Sequence, residues 1–519
     1  MSDSSSKNFY RRRSASEKNP YPTDSFSSRG ERNKSASCFY ITTTLPYVNA
    51  NPHMGHALEF VRADVIARYK SLQGYEVFFN TGTDDHGIKI YNKAIESGKT
   101  PQEYADFYAE KVKELLKLLG IDENVNFTRN FIRTTDQSHI KSAQEFWKIC
   151  DKNGFTYKKN YKIKYCVGCE LEKSDSELVD CKCPEHPNME IELIDEENYF
   201  FKFSAFQEKL LKFYDENSDF VIPDFRFNEI KAFVKRGLQD FSISRLKSKM
   251  PWGIEVPGDE TQVMYVWFDA LVNYISAIGW PDDMEKFNKW QVETGGMVQY
   301  CGKDNLRQQS AMWQAMLMAA GLPNSKTIVV DGFITGAGGI KMSKSLGNVV
   351  DPVELINEYG TDAMRYYVLR EVSPFEDTPF TKEMFKDAYN ANLANGLGNL
   401  VSRVMTMAQN NLEAPFDISN IQKVDPRTIN GFENYNLQQV TDSIWDAIKF
   451  SDGYIQSEQP FKLIKTDKVE GLKKINFLVG ELYRISLMLE PIMPETAEKI
   501  KKLVEENKKP ETPLFVRKE

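Results

Sequence analysis

Two histidines lie in one short turn of the chain. They are His53 and His56, in the run HMGH, with Gly55 between them. A strand-like segment precedes the run and a helix-like segment follows it. Such a helix start presents unpaired N–H groups and the positive end of a dipole, which attract phosphate. Gly55 lets a ligand approach the backbone, and both imidazoles can donate to phosphoryl oxygens. Histidines that merely cap the helix or bind a metal are the alternatives.

Two lysines in a glycine-rich stretch are the second feature suited to phosphate. Lys341 and Lys344 belong to KMSKS, within TGAGGIKMSKSLGN. Their ammonium groups could hold a leaving pyrophosphate without covalent chemistry. The spacing is not that of a P-loop, which requires G-x-x-x-x-G-K-[ST]. A solvated basic turn is the simpler interpretation of the lysine pair taken alone.

Four of the seven cysteines are clustered, and a histidine follows them. Cys166 and Cys169 form C-x2-C, and Cys183 and His186 form C-x2-H. Two such pairs suit tetrahedral zinc in a structural site with no open position. Cys181 could replace His186, but a C-x-C chelate is more strained, and a proline after Cys183 favours a turn towards His186. The local cluster favours a reducing compartment such as the cytoplasm over a disulfide framework.

Length and composition limit the class of protein. The chain has 519 residues, 41% of them hydrophobic, and a formal net charge of −8. These values predict a soluble globular protein of two to four domains. Because the net charge is negative, the chain as a whole is not a general binder of polyanions. Nucleic acid would have to bind to a local basic surface. No apolar run approaches the roughly 20 residues that cross a bilayer, so no membrane association is expected.

The elements that must position the histidines form a βαβ pattern. The runs CFYITTT and YEVFFNTGTD read as strands, and the segment between them has helical spacing and ends at Gly74. This order predicts an α/β fold with a parallel, Rossmann-like sheet. Ligands of such sheets bind at the carboxyl ends of the strands. The turns that hold His53, His56 and Asp84 are therefore expected to face one crevice.

Changes of pattern predict five segments. Residues 1–37 are Ser-rich and basic, and we expect a disordered tail; a transit peptide or a tail that attracts RNA are the alternatives. Residues 38–150 form the first half of the α/β domain. Residues 151–245 form an insertion that carries the cysteines. Residues 246–380 form the second half, and residues 381–519 form a helical bundle with apolar stripes.

The two phosphate-handling motifs, in this order, resemble the signature of class I aminoacyl-tRNA synthetases. The runs LPYVNANPHMGH, TGTDDHG, GLQDFSISR, YVWFDALVNYI, GKDN and KMSKSLGN are similar to those of methionyl-tRNA synthetases. The resemblance extends from about Tyr40 to the C-terminal helices. It implies a Rossmann-like catalytic domain, a zinc knuckle of the one-zinc type and an anticodon-binding bundle.

The activity implied by the resemblance is ATP-dependent ligation of methionine to its tRNA. The carboxylate of methionine attacks Mg²⁺-bound ATP, and the resulting methionyl-adenylate passes its acyl group to tRNA(Met), releasing AMP and pyrophosphate. Positioning and charge stabilisation suffice for this chemistry. The alternatives are the same reaction with leucine, valine, isoleucine or cysteine, and a non-catalytic tRNA-binding relative. We expect a monomer without the C-terminal dimerisation module that some relatives carry.

The resemblance also implies roles for individual residues. His53, Gly55 and His56 would hold the ATP phosphates, and Lys341 and Lys344 would stabilise the transition state and the pyrophosphate. Asp84 would bind the amino group of methionine. The methionine and adenylate pocket would be lined by Leu45, Tyr47, Trp267, Ala270 and Tyr274. For the buried aromatics, ordinary core packing is the alternative interpretation.

Two positions depart from the family pattern. Gln309 stands in LRQQ, where many relatives have a histidine in the methionine pocket. Glutamine can both donate and accept a hydrogen bond, and it has no titratable proton. Leu271 stands where many relatives have proline. Recognition of methionine is therefore the part of the site that the resemblance constrains least.

The resemblance also implies that three residues of the helical region read the anticodon. Asn399 and Arg403 are four residues apart, which places them on one helix face. Phe461 stands where the family usually has a tryptophan that stacks on an anticodon base. Phenylalanine can stack in the same way, and packing in the core is the alternative.

Overall fold

A computed structural model describes residues 37–121, 127–169, 171–173, 177–340, 350–421 and 425–519. Lys341 and Lys344 lie outside the described residues, as does nearly all of the N-terminal tail. Within the described part, the strands in chain order are β1 (Cys38–Thr42), β2 (Glu76–Thr83), β3 (Thr128–Arg133), β4 (Thr156–Cys166), β5 (Leu171–Lys173), β6 (Glu192–Phe201), β7 (Val221–Ile222), β8 (Phe241–Ser242), β9 (Ser244–Leu246), β10 (Glu255–Val256), β11 (Asp259–Met264), β12 (Val298–Gly302), β13 (Thr327–Asp331), β14 (Ile334–Thr335) and β15 (Thr378–Pro379).

The helices of the same described ranges are α1 (Met54–Leu72), α2 (Ile88–Glu96), α3 (Pro101–Leu118), α4 (Gln137–Lys152), α5 (Gln207–Glu216), α6 (Asp224–Lys235), α7 (Val266–Ala270), α8 (Asn273–Ser276), α9 (Met284–Phe287), α10 (Trp313–Ala320), α11 (Pro352–Tyr359), α12 (Thr361–Arg370), α13 (Lys382–Ala388), α14 (Asn399–Asn411), α15 (Pro426–Glu433), α16 (Leu437–Glu458), α17 (Pro460–Thr466), α18 (Lys468–Leu489) and α19 (Pro494–Glu505). In the part of the chain that the structure describes, no helix combines the length and apolarity required of a transmembrane span.

The central sheet has six parallel strands in the order β3-β2-β1-β12-β13-β7. The β1–α1–β2 unit confirms the predicted α/β fold, and Gly74 follows α1 with a φ of +87°. Strands β2 and β3 lie on one side of β1, and β12 and β13 lie on its other side. The carboxyl ends of β1 and β12 therefore flank a topological switch point, where open α/β sheets bind ligands.

Burial explains why these runs form strands. All five residues of β13 are buried, and its sequence, TIVVD, is a nearly continuous apolar run. A parallel sheet covered on both faces requires such runs rather than alternation. The two-residue strand β7 has no comparable pattern, but it pairs with β13 through Ile222 opposite Val329. The range 151–245 thus also supplies an edge strand of the central sheet.

The cysteine-bearing segment belongs to a separate antiparallel sheet of four strands, in the order β5-β4-β6-β8. Strands β4 and β6 pair along their length, from Thr156 opposite Phe201 to Tyr165 opposite Glu192. Cys166 ends β4, so the turn that follows it lies at the far end of this ribbon. The C-terminal region is mostly helical, as predicted, and the apolar stripes of α16 and α18 are buried.

Arg365 of α12 connects helix α1 of the α/β region with the C-terminal helices. Its side chain is fully buried and forms an ion pair of 2.8 Å with Asp64 of α1. It also donates to the carbonyls of Ile492 and Pro491, between α18 and α19, over 2.7 and 3.0 Å. Burial alone would raise the pKa of Asp64, but Arg68, Arg365 and Arg129 lower it to about 2. One buried carboxylate is thus held by three guanidinium groups.

Candidate active site

The loop after β1 runs beside the end of β2. The N–H of Asp84 donates to the carbonyl of Pro46 over 2.9 Å, and the N–H of Val48 donates to the carbonyl of Asp84 over 3.3 Å. Tyr47 forms an isolated parallel bridge with Asp84, whose side chain is 3% exposed. The backbone therefore fixes the two predicted substrate-binding residues, Tyr47 and Asp84, next to each other at the carboxyl edge of the sheet.

The two histidines of HMGH cap α1 reciprocally. Nδ1 of His53 accepts from the N–H of Gly55 over 3.1 Å, and Nδ1 of His56 accepts from the N–H of His53 over 3.2 Å. Their rings stack with centroids 3.8 Å apart. A Cβ at Gly55 would lie 3.0 Å from the ring of His53, so glycine keeps this turn tight.

The capping bonds decide which ring nitrogens carry protons. An Nδ1 that accepts a hydrogen bond leaves Nε2 of a neutral imidazole protonated, as a donor. Burial, with a smaller effect of His53, holds the pKa of His56 well below its ordinary value. His56 is therefore neutral near pH 7, and its Nε2–H can donate to an anionic ligand without prior protonation.

Two carboxylates that the sequence did not single out lie behind this turn. Glu59 of α1 accepts from the N–H of Thr44 over 2.5 Å, and burial raises its pKa well above the ordinary value, with a further contribution from Asp331. Burial also raises the pKa of Asp331 to about 6, although Arg62 pairs with it over 2.9 Å. Glu59 is three residues beyond His56 in α1, so the two side chains lie on the same helix face. This spacing is the sequence signal that could have indicated Glu59 as a residue near the histidine turn.

The apolar wall comes from the segment after β11. Trp267 and Ala270 lie in α7 and Tyr274 in α8, and all three are buried, as is Leu45. Leu271 follows the last residue of α7, and α8 begins at Asn273, so Trp267 and Tyr274 lie on separate short helices. The indole N–H of Trp267 has no hydrogen-bond partner among the described residues, although the ring is only 9% exposed. This wall offers aromatic surface with few charged groups.

A buried histidine–aspartate–histidine chain fixes that wall against the β2 loop. Asp269 of α7 contacts Nδ1 of His86 over 2.7 Å and Nε2 of His139 over 2.8 Å. Burial would raise the pKa of Asp269, but the two imidazoles hold it below its ordinary value. Because His86 is two residues from Asp84, this chain links the predicted amino-group ligand to α7. Nothing in the sequence around His139 indicated such a role.

Gln309 lies in a π-helical turn, Gln308–Met312, that leads into α10. Its side chain is fully buried, and its amide donates to the hydroxyl of Tyr274 over 2.5 Å. The hydroxyl of Tyr40 in β1 donates to the carbonyl of Tyr274 over 2.7 Å. The structure therefore brings Gln309 and Tyr274 together.

Cys166, Cys169, Cys183 and His186 form a group able to hold a metal ion. Their ligand atoms all lie within 4.8 Å of one another, and the Sγ of Cys169 is 3.4 Å from that of Cys183 and 3.2 Å from Nδ1 of His186. Three thiols and one imidazole are the donor set of a structural zinc site. Cys181 is exposed and lies outside the group.

Glycine and lysine contacts shape the surroundings of this group. A Cβ at Gly168 would lie 2.4 Å from the His186 ring, so only glycine leaves room for that ligand. Nζ of Lys89, in α2, donates to the carbonyl of Gly168 over 2.5 Å and lies 5.5 Å from the ring centre of Tyr47. The cysteine turn is thereby connected to the loop that borders Asp84.

The residues expected to read an anticodon lie on helices of the C-terminal region. Asn399 begins α14 and is exposed, and Arg403 pairs with Asp452 of α16 over 2.9 Å. Phe461 of α17 is 44% exposed. Its exposure is incompatible with the alternative interpretation that it packs in the core.

Comparison with known families defines the class of protein. The family model described as tRNA synthetases class I (M) matches residues 39–191 and 186–405, which together span more than half of the 519 residues. These ranges contain the HMGH turn, the sheet edge and the cysteine group described above. The class is therefore that of the class I tRNA synthetases.

Individual relatives narrow the assignment within that class. A methionine–tRNA ligase of Thermotoga maritima is 40% identical over 490 residues, covering 91% of this chain and 76% of the relative. That of Brucella suis is 37% identical over 479 residues, covering 89% and 90%. Mycobacterium tuberculosis methionyl-tRNA synthetase in complex with methionyl-adenylate matches with a TM-score of 0.81 and 34% identity, covering 90% and 94%. The chain belongs to the methionine–tRNA ligase family.

Proposed function

We propose that this protein ligates L-methionine to its tRNA through a methionyl-adenylate, with release of pyrophosphate and then AMP. The observation that carries the proposal is the reciprocally capped histidine pair at the start of α1, on the same sheet edge as Asp84. Neutral Nε2–H donors and the dipole of α1 suit triphosphate, and the carboxylate of Asp84 suits an ammonium group.

Each substrate group has a counterpart among the described side chains. We assign the amino group of methionine to Asp84 and the thioether to the aromatic wall formed by Trp267, Ala270 and Tyr274 with Leu45 and Tyr47. A thioether has no charge, so shape and soft aromatic contacts must select it. His53, Gly55 and His56 would hold the phosphates of Mg²⁺-bound ATP, joined by Lys341 and Lys344 from the KMSKS run.

The reaction then requires no covalent intermediate on the enzyme. Asp84 and the aromatic wall orient the methionine carboxylate towards the α-phosphate, which converts a bimolecular attack into an effectively unimolecular one. The Nε2–H donors of the histidine pair and the two lysines stabilise the charge that develops on the phosphates. The ranges 38–150 and 246–380 would form the catalytic domain, and 381–519 the anticodon-binding domain.

Amino-acid-dependent ATP–pyrophosphate exchange tests the proposal. We expect exchange with methionine, and at least 100-fold less with leucine, valine, isoleucine or cysteine, in terms of kcat/KM. Exchange that depends on one of those amino acids instead would reassign the substrate. A chain that binds tRNA but supports no exchange would be a non-catalytic relative.

We assign zinc to the four-residue group, where it would supply structural cross-linking of the cysteine turn. Cys183→Ser should lower bound zinc from one ion per chain to less than about one tenth, because three ligands bind it much more weakly. Elemental analysis of the purified variants measures this content. Cys181→Ser is the matched control and should keep one ion per chain; loss of zinc in that variant would show that Cys181 is the fourth ligand.

Recognition of tRNA should depend on the exposed ring of Phe461. Phe461→Ala should raise the KM for tRNA(Met) in aminoacylation by about 5- to 100-fold, the loss of one base-stacking contact, and leave methionine-dependent exchange unchanged. Phe450→Ala is the control, since Phe450 is 54% exposed on α16 of the same helical region. Equal effects of both substitutions on the KM for tRNA would argue against a stacking role specific to Phe461.

A further inference from the structure

A buried arginine connects α1, the helix that begins with the HMGH turn, to the chain that follows α12. The side chain of Arg62 is 2% exposed and forms an ion pair of 2.9 Å with Asp331, the last residue of β13. Its guanidinium also donates to the carbonyls of Val372, Ser373 and Pro374 over 3.0, 2.9 and 3.0 Å. One planar group of α1 therefore binds three successive carbonyls of a segment distant in sequence.

The connecting segment, residues 372–379, follows α12 and ends with β15. Asp377 holds it at the end opposite to Arg62. The carboxylate of Asp377 accepts from the N–H of Phe333 over 3.0 Å and from Nζ of Lys303 over 2.6 and 2.8 Å. Because Lys303 follows β12 and Phe333 follows β13, the segment is bound to the carboxyl ends of two central strands.

The connecting segment also pairs with β14. Ile334 lies opposite Thr378 in a parallel register, and the N–H of Thr378 donates to the carbonyl of Phe333 over 2.9 Å. The approach is close, since a Cβ at Gly332 would lie 2.2 Å from the carbonyl oxygen of Glu376. In the sequence, the KMSKS run follows β14. The segment therefore joins the helix of one phosphate motif to the strand that precedes the other.

Stability alone does not account for a charged pair at this place. Burial raises the pKa of Asp331 to about 6, although Arg62 lies beside it. Apolar residues of similar volume often replace a buried ion pair without loss of stability. An apolar side chain cannot bind three carbonyls in a fixed direction, because that requires the planar fork of a guanidinium. The contacts of Arg62 are therefore suited to fixing the position of the segment.

We propose that the connecting segment holds β14 at a fixed place relative to the HMGH turn, and that Arg62 and Asp377 are the positioning residues at its two ends. The inference rests on the proposed function, which uses neither residue. That function divides the phosphates of ATP between the start of α1 and the lysines of the run after β14. Groups on two elements stabilise one developing charge only if the elements keep their spacing, and a misplacement of about 1 Å can cost about 10²-fold in rate.

Asp377→Ala is the main test, because the side chain of Asp377 is 41% exposed and its loss should leave the chain folded. In methionine-dependent ATP–pyrophosphate exchange with the full chain, we expect kcat to fall by about 10- to 100-fold, with the KM for methionine changed less than about twofold. Asp377→Asn keeps an acceptor for the N–H of Phe333 and should recover part of the rate.

Asp425→Ala is the matched control for the loss of such a carboxylate. Asp425 likewise accepts from a backbone N–H, that of Arg427, over 2.8 Å, and it pairs with the Arg427 side chain over 2.9 Å. It lies in the C-terminal helical region and takes no part in the connecting segment. This variant should exchange pyrophosphate at the wild-type rate.

Transfer of the methionyl group to tRNA separates positioning from a general loss of structure. The adenylate no longer carries the β- and γ-phosphates, so its reaction with tRNA should not depend on the spacing between α1 and β14. We expect Asp377→Ala to transfer methionine from preformed adenylate within about threefold of the wild-type rate, as measured by quenched flow in a single turnover.

A double variant tests whether the two residues act through the same segment. Arg62→Gln should lower kcat for exchange in the same way as Asp377→Ala. Adding Asp377→Ala to Arg62→Gln should lower kcat by less than about threefold more, because the segment is already released at one end. The two Asp377 variants and the transfer step decide the question if Arg62→Gln does not fold.

Three outcomes would overturn this inference. These are a kcat of folded Asp377→Ala within about threefold of the wild type, an equal loss in the transfer step, and fully multiplying effects in the double variant. In each of them the wild-type chain still exchanges pyrophosphate with methionine, so the proposed function stands. Absence of methionine-dependent exchange in the wild type would instead contradict the proposed function, and this inference with it.

Discussion

Replacing His56 by alanine should lower kcat for methionine-dependent ATP–pyrophosphate exchange by about 10²- to 10³-fold, the usual loss for one preorganised donor at a developing negative charge. Because Nδ1 accepts from the His53 N–H, the Nε2–H of His56 is oriented before substrate arrives. The low pKa of His56 keeps it neutral, so the loss should be similar from pH 7 to pH 9. Steady-state exchange rates across that range measure it.

A second capping box in the same chain serves as a control for the loss of helix capping, as distinct from the loss of a catalytic donor. Thr100 and Glu103 cap α3 reciprocally, with the N–H of Glu103 donating to Oγ of Thr100 over 3.2 Å. Thr100→Ala should cost about 1 kcal/mol of stability, as the loss of a cap does, without a change in exchange rate. If His56→Ala retained more than about a tenth of the wild-type kcat, the histidine would be a capping residue only.

Replacing Arg365 by methionine should lower the free energy of unfolding by about 3–5 kcal/mol, because a buried ion pair loses one partner. The substitution also removes the donors to the carbonyls of Pro491 and Ile492. Urea-induced unfolding of the variant and the wild type measures the difference. Lys141→Met is the control: its pair with Asp282 is largely exposed and should contribute less than about 1 kcal/mol.

The dependence of this difference on pH follows from the pKa of Asp64. The folded-state pKa, about 2, lies below the value of about 3.9 for an unfolded chain. The stabilisation is therefore complete above the unfolded value and is lost as the pH falls towards the folded one. The gap between wild type and Arg365→Met should be constant from pH 8 to pH 5 and should narrow below about pH 4. A constant gap down to pH 3 would exclude Asp64 as its source.

Local patterns were sufficient to predict the frame of the site. The β1–α1–β2 unit and the turn that carries His53 and His56 follow from residues within one stretch of sequence, whose periodicity and turn residues are local properties. The grouping of Cys166, Cys169, Cys183 and His186 was likewise visible from spacing.

Contacts between distant segments could not be predicted in this way. Asp269 meets His139 across 130 positions and His86 across 183, and Arg365 meets the carbonyl of Ile492 across 127. No local periodicity specifies such partners, because they depend on how the sheet edge and the helices pack. The contact of the Gln309 amide with the Tyr274 hydroxyl is a similar case, since 35 positions separate the two residues.

The contact of Lys89 with Gly168 has a mechanical consequence for the cysteine turn. The β4–β6 strand pair is attached to the rest of the protein at one end, so we expect the largest thermal motion at its other end, where the cysteine turn lies. Lys89 attaches this far end a second time, because it donates to Gly168 of the cysteine turn and lies against the ring of Tyr47. Both ends of the β4–β6 strand pair are therefore held. When the turn becomes ordered, the contact with Lys89 also restricts the loop beside Asp84. Part of the conformational entropy that this loop must lose is therefore lost together with that of the turn. Cross-linking of the turn by a metal ion would therefore also restrict the motion of the loop that contains Tyr47.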